Sequence, residues 1–270
     1  MSEAALESLL RRDRLVVSVA LAVLVVAAWA YLLYLASAMA DMAMPDMPGM
    51  PGMAMAMPAM HPWSWVEAGA LAVMWAVMMV AMMTPSAAPM ILMFATIHRR
   101  RAAEGRAAVP TAIFLLGYFV VWTIFSVVAA LAQTGLHAAA LLSPAMAATS
   151  PLLSGGLLIA AGVFQWTPLK RACLATCRSP LSFLMTSWRE GRGGAFVMGM
   201  RHGLYCLGCC WALMALLFVA GVMNLLWVAA IAVTVLVEKV VPGGDLVGRL
   251  AGLGLVAAGV LLLARVIVPA

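Results

Sequence analysis

Long runs of apolar residues, separated by short polar connections, make up most of this chain. Seven of the runs approach the length that a helix needs to cross the hydrocarbon of a bilayer. They cover residues 15–36, 67–95, 110–133, 151–167, 204–221, 223–237 and 248–268. The pattern predicts an all-α fold, a polytopic transmembrane helical bundle of about seven spans in contact with lipid.

The charged residues indicate how such a bundle is oriented. The chain is 66% hydrophobic and 10% charged, with a formal net charge of +6. Fifteen of the sixteen Lys and Arg residues fall in alternate connections, which the positive-inside rule assigns to the cytoplasm together with the N-terminus. Because the basic residues follow this membrane pattern, they do not indicate a nucleic-acid partner.

The first span stands apart from the other six. We interpret residues 1–36 as a cytoplasmic N-terminus with an uncleaved transmembrane anchor, the alternative being a signal peptide cleaved after the span. Residues 37–66 form a Met-rich tether on the outer side, in which Pro and Gly oppose a helix, and residues 67–270 form a six-helix membrane core. Six spans divide into two triplets, so we hypothesise a 3+3 inverted repeat. Pro85 and Pro89 are expected to open the leading helix of its first half.

Methionine is concentrated in the tether and in the span that follows it. Residues 39–60 hold nine methionines, and seven more lie between residues 74 and 93, out of 23 in the chain. A thioether is a soft, uncharged ligand that suits Cu(I). The predicted copper ligands of the tether are Met42, Met44, Met47, Met50, Met53, Met55, Met57, Met60 and His61. The alternative interpretation is a low-complexity linker without a binding function.

The methionines of the second span repeat at helical spacing. Met74, Met78 and Met82 are four residues apart, and Met79 and Met83 form a second such pair. Residues four apart stack on one side of a helix, so this spacing predicts a sulfur-rich face that could conduct Cu(I). The alternative is that methionine fills the bundle core as an adaptable packing residue.

The fifth span carries a second set of candidate metal ligands. His202, Cys206 and Cys210 follow each other at intervals of four, with Cys209 adjacent and Met214 one turn further. The stripe favours a soft-metal site, against the alternative of buried cysteines that only pack. In the basic loop before this span, Cys173 and Cys177 could accept an ion that leaves the membrane. They could equally be two reduced, unpaired cysteines.

Several features of other transporters and enzymes are missing from the sequence. The middles of the second to sixth spans contain no Asp, Glu, Lys or Arg, whereas ion-coupled carriers usually place an ionisable group there. There is no nucleotide-binding loop and no nucleophile–base arrangement, and nothing implies an organic cofactor. We therefore expect neither an energised pump nor an enzyme.

Four segments resemble a known family. They are residues 75–91 (WAVMMVAMMTPSAAPMI), 164–174 (FQWTPLKRACL), 177–183 (CRSPLSF) and 206–214 (CLGCCWALM). These are similar to the signature blocks of bacterial inner-membrane proteins known as predicted metal-binding integral membrane proteins, domain of unknown function 2182. The resemblance spans residues 63–268 and implies metal handling, plausibly of copper. It also implies a multi-pass protein of the bacterial inner membrane, in which the positive-inside rule places residues 37–66 in the periplasm.

The sequence leaves three functions open. The leading hypothesis is a membrane protein that captures Cu(I), or another soft metal ion, and carries it across the inner membrane or delivers it to a periplasmic or membrane cuproprotein. The first alternative is a thiol redox relay, because the chain also has a faint similarity to the six-helix thiol-electron conductors of cytochrome c maturation. Ser86 and Ala87 stand where those proteins have a Pro-flanked cysteine, so the paired thiol is missing. The second alternative is a non-catalytic structural subunit of a membrane complex.

Overall fold

The computed structural model describes residues 3–43, 65–105, 109–143 and 146–267, and within them the secondary structure is helical, without strands. The helices are α1 Glu3–Ala43, α2 Trp65–Ala103, α3 Thr111–Ala138, α4 Pro151–Phe164, α5 Pro168–Arg178, α6 Pro180–Ser187, α7 Gly191–Ala215, α8 Leu217–Ala220, α9 Leu225–Val240 and α10 Gly244–Ile267. The all-α fold is therefore confirmed.

Five helices in the described residues are long and apolar enough to cross a membrane. They are Arg14–Met39, Trp65–Ala103, Thr111–Ala138, Gly191–Ala220 and Gly244–Val266. The pair α4 and α5 would make a sixth span, but the two helices meet at an angle of 61°. The predicted sixth span corresponds to α9, which has 16 residues and is too short to belong to these membrane-spanning helices. The structure thus supports a bundle of membrane-spanning helices without confirming seven of them.

The first helix is longer than the predicted anchor. It includes residues 37–43, which the sequence assigned to the tether. The first proline of the tether is Pro45, so nothing in residues 37–43 breaks a helix. α1 packs on α2 through Leu21, Ala28 and Leu32, while the apolar side chains on its other side remain exposed.

The second helix runs through both prolines without a break, so the prediction that Pro85 and Pro89 open it was wrong. Nearby hydroxyl groups bond to carbonyls of the same turn. Thr84 donates to the carbonyl of Val80 at 2.6 Å, and Ser86 donates to that of Met83 at 3.0 Å. Both bonds lie within the proline-containing stretch, and neither is to a carbonyl that a proline leaves without its backbone donor.

The main core lies where α2 and α7 pack around α3. Its largest buried side chains include Trp75, Phe94, Phe114, Tyr118 and Trp122. The indole of Trp75 donates to Gln133 at 2.7 Å, which fixes α2 against α3 inside the bundle. α4 and α10 form a separate helix pair beside this core.

Two charged residues, Glu238 and Lys239, are buried at the end of α9, a segment that the sequence pattern had assigned to a loop. Glu238 is 1% exposed and accepts two hydrogen bonds of 2.8 Å from Lys170 of α5. Lys170 also bonds to Gln165. Arg178 donates to the carbonyls of Glu238 and Val241 at 3.0 and 2.9 Å. These contacts hold α5 against the last turn of α9, and we refer to them as the clamp. They also supply the hydrogen bonds that a buried ion pair needs in order to be tolerated.

Candidate metal centre

The five methionines predicted to form one face of the second span all lie inside the bundle. Met74 is 7% exposed, Met78 and Met82 are 1% exposed, and Met79 and Met83 are completely buried. These five thioether groups therefore point into the protein. Their four-residue repeat produces one continuous face, as the sequence predicted.

The candidate ligands of α7 share a buried face as well. His202, Cys206, Cys210 and Met214 are each at most 2% exposed, and Cys209 beside them is 1% exposed. All three thiols are free. The stripe predicted from the sequence is therefore present on one side of α7, inside the protein.

Glycines of α7 bring α3 close to this stripe. A Cβ on Gly199 would lie 1.9 Å from the carbonyl oxygen of Phe114, and one on Gly203 would lie 3.0 Å from the side chain of Val121. No side chain larger than hydrogen fits at Gly199, so the two backbones pack against each other directly. This close approach places Tyr118 of α3 next to the cysteines.

The two sulfur-bearing helices meet at Met83 and Cys210. The Sγ atom of Cys210 lies 3.8 Å from Sδ of Met83, although the residues are 127 positions apart. The thiols of Cys209 and Cys210 both donate to the carbonyl of Cys206, at 3.0 and 2.9 Å. A thioether from α2 and thiols from α7 thus lie together in a site that solvent does not reach. We refer to Met83, Cys206 and Cys210 as the sulfur site.

Cys206 lies among polar groups that sequence reasoning missed. The ammonium group of Lys239 is 2.9 Å from Cys206 Sγ and 3.3 Å from the hydroxyl of Ser86. The hydroxyl of Tyr118 lies 3.1 Å from the same sulfur and donates to the carbonyl of Met83 at 3.3 Å. A thiol that ligates a metal does so as a thiolate, whose negative charge interacts favourably with an ammonium group.

The prediction that Lys239 belongs to a cytoplasmic loop was wrong. Lys239 is 7% exposed and lies in the last turn of α9, one residue after the Glu238 of the clamp. The positive-inside rule uses only the number of basic residues near a span. It does not predict that α9 continues to Val240 and therefore includes Lys239. A hint was available in the sequence, since Glu238 and Lys239 directly follow an apolar run.

His202 is buried among aromatic rings. Its ring centroid is 5.6 Å from that of Tyr118, 5.8 Å from that of Phe183 and 6.2 Å from that of Phe114. Within the described part of the chain, no group hydrogen-bonds to either ring nitrogen. Buried polar atoms normally have partners, so an imidazole in this state, one turn from Cys206, has ligand capacity to spare.

Some predicted ligands are not brought together. Among the described residues, no three His, Cys, Asp or Glu side chains converge so as to hold a metal ion. The sulfur site therefore combines thiols with a thioether and is not a cage of cysteines. Met42 lies in the last turn of α1. The other tether candidates, Met44, Met47, Met50, Met53, Met55, Met57, Met60 and His61, lie outside the described residues.

Cys173 and Cys177 do not lie in an open basic loop, as the sequence had suggested. Both are on α5, where they are 9% and 8% exposed. The bend between α4 and α5 turns this segment back against α7.

The fold and the site define a helical protein with several helices apolar enough for a membrane and with thiol and thioether groups in contact at its centre. Residues 72–262 match the model of the PpoB2 family, described as copper chaperones. The match covers more than half of the chain, and the chain belongs to this copper chaperone family. The expectation of a copper-related family is thereby confirmed. No curated protein and no solved structure matches the chain.

Proposed function

We propose that this protein captures Cu(I) on its methionine-rich tether and passes the ion along α2 to the sulfur site inside the membrane. From there copper is imported or delivered to a periplasmic or membrane cuproprotein. The protein binds and hands over the ion without acting as an enzyme. It resides in the bacterial inner membrane, with its N-terminus in the cytoplasm and residues 37–66 in the periplasm.

The contact between Met83 and Cys210 is the observation that carries this proposal. Packing alone does not require a thioether from one helix and a thiol from another to meet at 3.8 Å. Thiolate and thioether ligands together select Cu(I) over harder cations. Membership in a copper chaperone family supports the same ion as cargo.

The surrounding side chains have distinct roles in this proposal. Met74, Met78, Met79 and Met82 present successive thioethers that lead the ion toward Met83. Cys206 and Cys210 bind it as thiolates, and a Cu(I) ion offsets their negative charge in a medium of low dielectric constant. Cys209, His202 and Met214 lie within one or two turns on α7 and supply further ligands as the ion moves.

The proposal is tested by measuring copper in the purified full chain. Met83→Leu combined with Cys210→Ser is loaded with Cu(I) under reducing conditions and compared with wild type by elemental analysis after dialysis against a Cu(I) chelator. We expect the double variant to lose the copper that wild type retains inside the membrane. Met198→Leu is the matched control, because Met198 is also completely buried and lies two turns from Cys206 on the same helix. Equal copper in the double variant and wild type would overturn the proposal.

A thiol redox relay is the second candidate, favoured by the ammonium of Lys239 beside Cys206 and by Cys209 three residues further on. In that case Cys206 would exchange with the disulfide of a thiol partner and Cys209 would resolve the mixed disulfide. The two functions separate in a trapping experiment with Cys209→Ser. A relay accumulates a mixed disulfide through Cys206, whereas a copper carrier does not. A Cys206→Ser variant with full activity toward thiol partners eliminates the relay.

A further inference from the structure

Helix α5 presents a pair of thiols to the back of the cysteine-bearing turn of α7. Cys173 and Cys177 are four residues apart and therefore lie on the same side of α5. Gly208 makes room for them, because a Cβ at that position would lie 2.7 Å from Sγ of Cys173. Cys177 is one turn further along the same side of α5, and Gly208 precedes Cys209, so α5 packs against the turn of α7 that carries the sulfur site.

The clamp on α9 holds these thiols in place from both sides. Lys170 lies before Cys173 and bonds to the carboxylate of Glu238 at 2.8 Å. Arg178 follows Cys177 and bonds to the carbonyl of Glu238 at 3.0 Å. The next residue of α9, Lys239, contacts Cys206 at 2.9 Å. Of these two adjacent residues of α9, Glu238 thus fixes the position of α5 and Lys239 contacts the sulfur site.

An open cavity lies next to this thiol pair. It has a volume of about 320 Å³ and is lined mainly by hydroxyl side chains of α5, α6 and α7. Thr176 and Ser179, on either side of Cys177, belong to its lining, and Ser182 and Thr186 are exposed at its edge. A polar cavity at this position gives an aqueous acceptor access to α5, while the sulfur site itself is closed to solvent.

We infer that Cys177 and Cys209 form a second Cu(I) site, with Cys173 beside them, through which the ion leaves the sulfur site. The inference rests on the proposed function, because it needs copper to reach Cys206 and Cys210 first. A pair of thiolates is a suitable ligand set for Cu(I), because thiolates are soft ligands. Cys209 lies between the two sites and is the residue through which the ion passes.

The transfer is an exchange of ligands. Each bond from copper to the sulfur of Cys209 or Cys177 replaces a bond to Cys206 or Cys210. The proton that leaves the accepting thiol is taken up by the thiolate that is released. Copper remains Cu(I) throughout, so the step needs neither an oxidant nor a reductant.

The test uses the full chain, purified in detergent, reduced and loaded with Cu(I) in the absence of oxygen. Wild type, Cys177→Ser and the control Leu174→Val are each challenged with a Cu(I) chelator, and the copper retained and the rate of removal are measured. Leu174 is buried on the same helix but carries no sulfur, so the control reports a disturbance of α5 alone. We expect Cys177→Ser to retain about one copper ion fewer per chain and to release the remainder about tenfold more slowly. Retention and release equal to those of wild type would overturn the second site.

Two further arms complete the experiment. In wild type, Cu(I) should slow the alkylation of Cys177 at least about tenfold, measured by peptide mass spectrometry at a temperature where the copper-free thiol reacts. This arm needs no substitution and contradicts the inference if copper leaves the rate unchanged. Cys206→Ser combined with Cys210→Ser is measured in parallel. If that variant keeps its copper, the proposed function fails as well; if it loses copper while Cys177→Ser does not, the second site alone is wrong.

Discussion

Two regions of this protein pack helices closely, and one of them contains no sulfur. α4 and α10 contain neither Met nor Cys. Their glycines bring the backbones together, since a Cβ on Gly162 would lie 2.7 Å from the carbonyl of Gly252. α3 and α7 approach each other in the same way at Gly199, but there the neighbouring positions of α2 and α7 hold methionines and cysteines.

The difference bears on what the sulfur atoms do. Small residues that allow close approach are the usual means of packing helices in membranes. The α4–α10 pair shows that Gly, Leu, Val and Ile suffice for it in this chain. Methionine as a general filler would be expected in both regions, whereas it is concentrated beside the cysteines. This distribution supports the ligand role that we propose for the sulfur-rich region.

The largest expected effect comes from removing the thioether face. Met78→Leu, Met79→Leu, Met82→Leu and Met83→Leu are combined in one variant. Leu has nearly the volume of Met, and each such exchange costs less than about 1.5 kcal/mol in a core. We expect copper uptake into cells to be abolished while the protein is still made and inserted. Uptake at the wild-type level would show that the face only packs.

The clamp between α5 and α9 gives the next largest effect. Lys170→Met leaves the buried carboxylate of Glu238 without its partner, which should lower the free energy of unfolding by about 3–5 kcal/mol. Replacing both residues by Met should recover much of this loss, because the unpaired charge is gone. Unfolding in a mixed detergent series measures both variants. Arg171→Met is the control, since Arg171 is exposed on the same helix; an equal loss there would contradict a specific role for the pair.

A substitution in the sulfur-free region should change stability alone. Gly162→Ala forces a Cβ against the backbone of α10 and should lower the free energy of unfolding by about 1–3 kcal/mol. Copper retained per folded chain should not change. Gly156→Ala, on the same helix but with no described atom from outside its own stretch of helix within 4 Å of the new Cβ, should be tolerated. Loss of copper binding in Gly162→Ala would mean that the two regions are not independent.

The smallest expected effect concerns the hydroxyl beside Cys206. Tyr118→Phe keeps the ring but removes the group that lies 3.1 Å from the sulfur. Residues that support a metal ligand typically contribute 10–100-fold to affinity, and we expect about tenfold here. Competition with a Cu(I) chelator measures it. Tyr205→Phe, a partly buried tyrosine on α7 outside the sulfur site, serves as the control.

The local features of the site could be predicted from the sequence. The methionine face of α2 and the stripe of α7 follow from a repeat of four residues, which depends on helix geometry alone. Tyr118 and Lys239 could not be predicted, because their contacts with Cys206 depend on how α3 and α9 pack against α7. The same is true of Cys177, which the bend between α4 and α5 brings against α7. Charge counting placed Lys239 in a loop, since it carries no information on burial.

X-ray absorption at the copper edge tests the central claim most directly. Full-length protein loaded with Cu(I) is compared with Met83→Leu combined with Cys206→Ser and Cys210→Ser, after a chelator has removed weakly held copper. The account predicts Cu(I) with sulfur neighbours in wild type and loss of that retained copper in the triple variant. A first shell of nitrogen and oxygen alone, or a spectrum that the three substitutions leave unchanged, would contradict it.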